Sequence, residues 1–245
     1  MMIAKIFIAT LTGLAIGALL MALGNRKTSA PVARERWKKL LVYFLIVHAA
    51  LACAASGSVT MFVFVVLIVT LGATELRRAS ALPEFGPDRY RIVTWLTFTV
   101  AASATVIMVP LLSAASWMYL YLLVAVFDGF SQVVGQLMGR RALAPRLSPG
   151  KTVEGAIGGL VATLLVGLLF RELVWPDPFA ALVLALSIAA AGLSGDLAAS
   201  WVKRRAGIKD YGTALPGQGG FLDRFDSFLA TSAIVGPIIY IAGLT

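Results

Sequence analysis

Residues 179–226 read FAALVLALSIAAAGLSGDLAASWVKRRAGIKDYGTALPGQGGFLDRFD. The stretch opens on an apolar run over 179–200, and about 20 such residues cross a bilayer. It then passes into a basic, glycine-rich loop and ends where a second apolar run begins at 225. A membrane span, a charged loop and a second span predict an all-α transmembrane bundle.

The rest of the chain repeats the pattern. Of its 245 residues, 59% are hydrophobic and 13% charged, and mean hydropathy is +0.88. A soluble domain carries about 25% charged residues. Apolar runs at 2–23, 39–56, 58–76, 92–112, 115–137, 153–171, 179–200 and 225–243 predict about eight spans. The first run resembles a signal peptide, but it lacks a clear small-residue cleavage site and is read as a retained span.

Basic residues gather at every second loop: Arg26, Lys27, Arg34, Arg36, Lys38 and Lys39; Arg77, Arg78, Arg89 and Arg91; Arg140, Arg141, Arg146 and Lys151; and Lys203, Arg204, Arg205, Lys209 and Arg224. The positive-inside rule places these loops in the cytoplasm and both termini on the other side. The expected setting is a bacterial-type inner membrane with the functional site facing the cytoplasm. Two regions are expected: 1–112, an N-terminal transmembrane region, and 113–245, a C-terminal catalytic region with cytoplasmic loops 138–152 and 201–224.

The net charge of +9 comes from short loops, not from a basic domain, so nucleic acid is not an expected partner. One Cys and one His rule out an intrachain disulfide and make a zinc site implausible. His48 reads as a helix–helix hydrogen bond. The first basic loop, around Trp37, reads as an interfacial anchor. Segment 73–91, with Glu75, reads as a plain linker.

Carboxylates are costly in a membrane, so their positions are informative. Asp128, Asp196, Asp223 and Asp226 stand in or at the basic ends of late spans. Asp196, Ser200, Lys203 and Arg204, at i, i+4, i+7 and i+8, share one helix face, and Asp223 and Asp226, at i and i+3, share another. Glycines of the loop between them let backbone N–H groups approach a phosphate. Carboxylates for a hard cation such as Mg²⁺, with bases for phosphate oxygens, suit a metal-bound polyphosphate. Pairing with Arg204 or Arg224 would explain any one of these acids, but not the whole run. A second segment, 146–159, reads RLSPGKTVEGAIGG. Its turn leads into a helix that Thr152 can cap, with Lys151 beside the helix N-terminus, a natural anion site. Glu154 suits the first helical turn, and Gly155, Gly158 and Gly159 suit close helix packing.

Together the two segments resemble the phosphatidate cytidylyltransferase family, the CDP-diacylglycerol synthases. Ser200, Lys203, Arg204, Lys209, Asp210, Pro216, Gly217, Gly219, Gly220, Asp223, Arg224 and Asp226 follow the family's C-terminal signature in order. Ser148-Pro149, Lys151-Thr152 and Glu154-Gly155 match its upstream element, and Asp128 matches the Asp of its fifth span. Residues 120–230 carry the resemblance. The family's usual His is Gln218 here, which cannot exchange a proton near neutral pH.

The resemblance implies transfer of a cytidylyl group from CTP to a lipid phosphate, phosphatidic acid first, giving CDP-diacylglycerol and pyrophosphate. On this reading Asp196, Asp223, Lys203, Arg204 and Lys209 are catalytic, with Asp196, Asp223, Asp128 and Asp226 toward Mg²⁺. Ser148, Lys151, Thr152, Ser200, Gln218, Gly219, Gly220 and Arg224 bind substrate. A monovalent cation such as K⁺ and a homodimer are also implied. The alternatives are a different lipid-phosphate acceptor, a non-catalytic lipid- or nucleotide-binding relative, and a transporter, which would place charges at mid-span.

Overall fold

Eight helices account for most of the computed structural model, which describes residues 2–26 and 28–243. They are α1 (Met2–Asn25), α2 (Ala30–Ala55), α3 (Ser58–Ser80), α4 (Asp88–Met108), α5 (Ala114–Met138), α6 (Val153–Leu169), α7 (Pro178–Arg205) and α8 (Leu222–Ile241). A short antiparallel hairpin, β1 (Ala142–Ala144) and β2 (Ser148–Thr152), lies between α5 and α6. Lys27, counted in the first basic loop, lies outside the described residues.

Among the described residues, seven helices are long and apolar enough to span a membrane. The eighth, α6, has 17 residues and reaches only about 26 Å at 1.5 Å per residue, short of a hydrocarbon core of about 30 Å. Ile8, Leu11, Val59, Val63, Leu96 and Leu165 are among the large apolar side chains left exposed, an outer surface that lipid would cover. The protein is an all-α, multi-pass membrane bundle.

The core is centred on the first half of α5, where residues 116–124 are all buried. Its second half packs against α6 along a seam of small residues. A Cβ on Gly155 would come within 2.6 Å of Ser131 O, and one on Gly159 within 2.7 Å of Phe127 O. Only glycine permits this approach, which brings Lys151 and Thr152, just before α6, alongside α5.

Several helices extend past the expected runs, α4 starting at Asp88 and α7 ending at Arg205, and two extensions change a reading. Helix α2 starts at Ala30, with Pro31 in its first turn, so the basic segment around Trp37 is helical and continuous with the span. Helix α3 runs to Ser80, so Glu75, Arg77 and Arg78 are helical and not linker. His48 Nδ1 lies 2.9 Å from Phe44 O and its Nε2 3.3 Å from Thr10 Oγ1, a link between α2 and α1.

The four basic connections meet at one end of the bundle. Gln218 Nε2 donates to Lys39 O at 2.7 Å, Arg204 Nε to Leu147 O at 3.0 Å, and the Arg205 guanidinium lies 3.8 Å from the Tyr90 ring centre. Helix α7, at 28 residues, is about 42 Å long, enough to carry Lys203–Arg205 beyond the hydrocarbon.

Candidate active site

A cavity of about 250 Å³ opens near this basic end, lined by residues of α2, α5, α6, α7, α8 and the β1–β2 hairpin. Asp128, Lys151, Asp196, Lys203, Asp223, Arg224 and Asp226 all border it. The sequence therefore brings the late-span carboxylates to one place, but the structure sorts them into two kinds.

Asp223 is almost wholly committed to protein partners. Its Oδ1 accepts from Lys203 Nζ at 2.8 Å, and its Oδ2 accepts from Tyr211 N–H at 2.7 Å and Gly220 N–H at 2.9 Å. Its side chain is 1% exposed. A Cβ on Gly219, whose φ is +85°, would sit 2.8 Å from Asp223 Oδ2, so glycine is required for the loop to close on this carboxylate.

Glu75 does the same from α3. It is 6% exposed and accepts from Phe221 N–H at 3.0 Å and Leu222 N–H at 2.8 Å. These are orphan donors at the start of α8, where a negative charge also meets the helix dipole. A Cβ on Gly220 would collide with the Glu75 carboxylate. The Gly220, Phe221 and Leu222 N–H groups thus serve two internal carboxylates, in place of the phosphate contact expected for Gly220. Glu75 is the residue that sequence reasoning missed, because its partners lie at the far end of the chain.

Asp128, Asp196 and Asp226 form the second kind. They lie within electrostatic range of one another across the cavity. Asp196 pairs with Lys151 and accepts from Ser200 Oγ at 3.4 Å. Among the described residues, no ion pair engages Asp128 or Asp226. Burial opposes the charge on Lys151, but Asp196 and Asp128 outweigh it and hold its pKa above the usual lysine value. Arg224 borders the same space, and its buried Nε has no hydrogen-bond partner.

Asp196 and Asp223, both expected toward Mg²⁺, each engage a lysine: Lys151–Asp196 and Lys203–Asp223. Among the described residues, no three His, Cys, Asp or Glu groups could hold a metal by themselves. Such a cage is not needed for Mg²⁺, which is usually held by one or two carboxylates together with substrate phosphates. Asp128 and Asp226 offer that donor set.

The remaining candidates lie around this centre. Thr152 Oγ1 accepts from Gly155 N–H at 3.1 Å, capping α6 while bordering the cavity. Glu154 accepts from Arg140 and Arg141 N–H and ties α6 to the end of α5. Ser148 begins β2 and does not border the cavity. Arg204 is exposed, held by Leu147 O and Ile208 O, and Lys209 lies on the following loop. Gln218 is held by Lys39 O and does not border the cavity.

A sequence model described as the cytidylyltransferase family matches residues 3–242. The chain belongs to the cytidylyltransferase family. Among family members, it is similar to the phosphatidate cytidylyltransferase of Brucella abortus biovar 1 (strain 9-941), 49% identical over 102 residues, which is 41% of this chain and 38% of that protein. It is also similar to that of Bacillus subtilis (strain 168), 44% identical over 115 residues, 46% of this chain and 41% of that one. The phosphatidate cytidylyltransferase of Staphylococcus saprophyticus subsp. saprophyticus is 41% identical over 118 residues, 46% of this chain and 44% of the relative. The matched stretches thus span less than half the length of these relatives.

Proposed function

We propose that this cytidylyltransferase-family protein transfers the cytidylyl group of CTP to a lipid phosphate, phosphatidic acid first, giving CDP-diacylglycerol and pyrophosphate. The observation that carries the reading is the cavity itself: Asp128 and Asp226, outside any ion pair among the described residues, border the same space as Arg224 and Lys151. The proposal places this end in the cytoplasm, supported by the positive-inside rule, in an inner membrane of bacterial type.

A phosphomonoester oxygen of the lipid attacks the α-phosphorus of CTP. The bond from that phosphorus to the β-phosphate bridging oxygen breaks, and the electron pair leaves with pyrophosphate. The nucleophile needs no strong base, because a phosphate ester's second pKa is about 6. Alignment and charge neutralisation are what the protein must supply. Lys151 and Arg224 would hold phosphate oxygens, with Lys151 exchanging Asp196 for substrate. Mg²⁺, held by Asp128 and Asp226, would neutralise triphosphate charge. Gln218 lies outside the cavity, so its lack of a titrating proton does not count against this chemistry. A homodimer and a monovalent cation such as K⁺ belong to the same proposal on the family resemblance alone.

The test uses detergent-purified protein, Mg²⁺, a panel of lipid phosphates, and CTP labelled at the α- or the γ-phosphorus. Label from the α position should enter lipid, and γ label should leave as pyrophosphate. No α label in any lipid across the panel would overturn the proposal.

A further inference from the structure

A second cavity, of about 410 Å³, lies beside the first between α1, α2 and α5. Its polar lining is Glu35, Arg36 and Lys39 of α2 with Gln132 and Gln136 of α5, and its apolar lining includes Met21 and Val32. Gln132 borders both cavities. On α5, Asp128, Gln132 and Gln136 fall at i, i+4 and i+8, one face of the helix. On α2, Lys39 lines the second cavity and Tyr43, one turn on, lines the first. A polar seam thus runs from the headgroup level to the carboxylates, along helices whose neighbouring side chains Leu41, Leu45 and Leu137 are exposed and apolar.

Polar residues on a membrane span commonly mark a substrate path. Both glutamines are exposed. The Lys39 side chain is 44% exposed, with its Nζ 3.8 Å from Glu35 Oε1, while Arg36 is anchored to Asn25 Oδ1 at 2.9 Å. Two cations against one carboxylate favour an anion, and the apolar wall of Met21 and Val32 favours one attached to a hydrocarbon. A soluble nucleotide has no use for that wall.

We infer that this second cavity is the portal at which the acceptor lipid docks: its phosphate rests on Lys39 and Arg36, and Gln136 and Gln132 lead it to the carboxylate cavity. The inference rests on the proposed transferase reaction. Lys39→Ala combined with Gln136→Leu should raise KM for phosphatidate in mixed micelles about tenfold, with KM for CTP and kcat at saturating lipid retained, the pattern of lost ground-state binding. Glu35→Gln should lower KM for phosphatidate about twofold, since removal of a like charge favours the anion. Loss of fold cannot produce that gain.

A rise in KM for CTP instead, or no change in either KM, would overturn the portal. A second measurement separates this failure from that of the transferase reading. Native mass spectrometry without CTP should find phosphatidate retained by the parent and lost from the double variant. Retention lost in the variant, with no turnover by the parent, would uphold the portal and sink the reaction. Equal retention in both proteins would sink the portal alone.

Discussion

The loop over residues 206–221 and the cavity beside it are built from the same materials, carboxylates and bases at helix ends, yet they treat charge in opposite ways. The two buried carboxylates that hold the loop each have their complement. Asp223 has Lys203 and two backbone N–H groups, and Glu75 has two more. In the cavity, Asp128 and Asp226 have no ion-pair partner among the described residues, and Arg224 Nε is buried without a partner. Unpaired charge removed from water costs free energy, and the proposed reaction gives these groups the phosphates and cation that would complete them. Asp223 and Asp226 stand one helical turn apart, so the distinction lies in what reaches each group and not in its place in the sequence.

Substitutions can break that contrast. The largest effect is expected in the cavity: Asp128→Asn should lower turnover about 10³-fold, equivalent to about 4 kcal/mol at the transition state, in the labelled-CTP assay. Next comes the loop. Asp223→Ala strands the Lys203 ammonium and two N–H groups, and should cost about 3–5 kcal/mol of stability, read by thermal unfolding in detergent. Glu75→Gln keeps an acceptor oxygen but turns an amide N–H₂ toward a backbone donor, and should cost about 1–3 kcal/mol in the same measurement. A Glu75 variant with parental stability and reduced KM for CTP would show instead that this acid faces substrate. Smallest is Gln218→His, which lies outside the cavity and should change kcat/KM by less than about threefold, a shift below ~0.7 kcal/mol.

Much of this was legible in the sequence because its causes are local. Apolar run length and alternating loop charge gave the bundle, and the glycines at 155, 158 and 159 announced a tight helix seam. The span count was harder at α6, whose apolar run of sufficient length ends as a helix of 17 residues. The start of α2 was hidden because hydropathy reads Arg34–Lys39 as loop, whereas the helix depends only on backbone bonds and tolerates charge at the membrane surface. Glu75 was illegible for a different reason. Arg77 and Arg78 beside it suggest a solvated linker, while its real partners, Phe221 and Leu222, come from a turn about 146 residues away. The separate fates of Asp223 and Asp226 were hidden too. Helical spacing puts i and i+3 on one face, but Asp223 stands in the first turn of α8 and reaches back to the loop.

Asp226→Asn compared with Asp223→Asn, each scored for both α-label transfer into phosphatidate and thermal midpoint, tests the central contrast most directly. The account predicts that Asp226→Asn loses about 10³-fold in turnover with its midpoint at or above the parent's, because a repelling charge is removed, and that Asp223→Asn melts earlier. Full turnover by Asp226→Asn, or a fall in its midpoint matching that of Asp223→Asn, would contradict it.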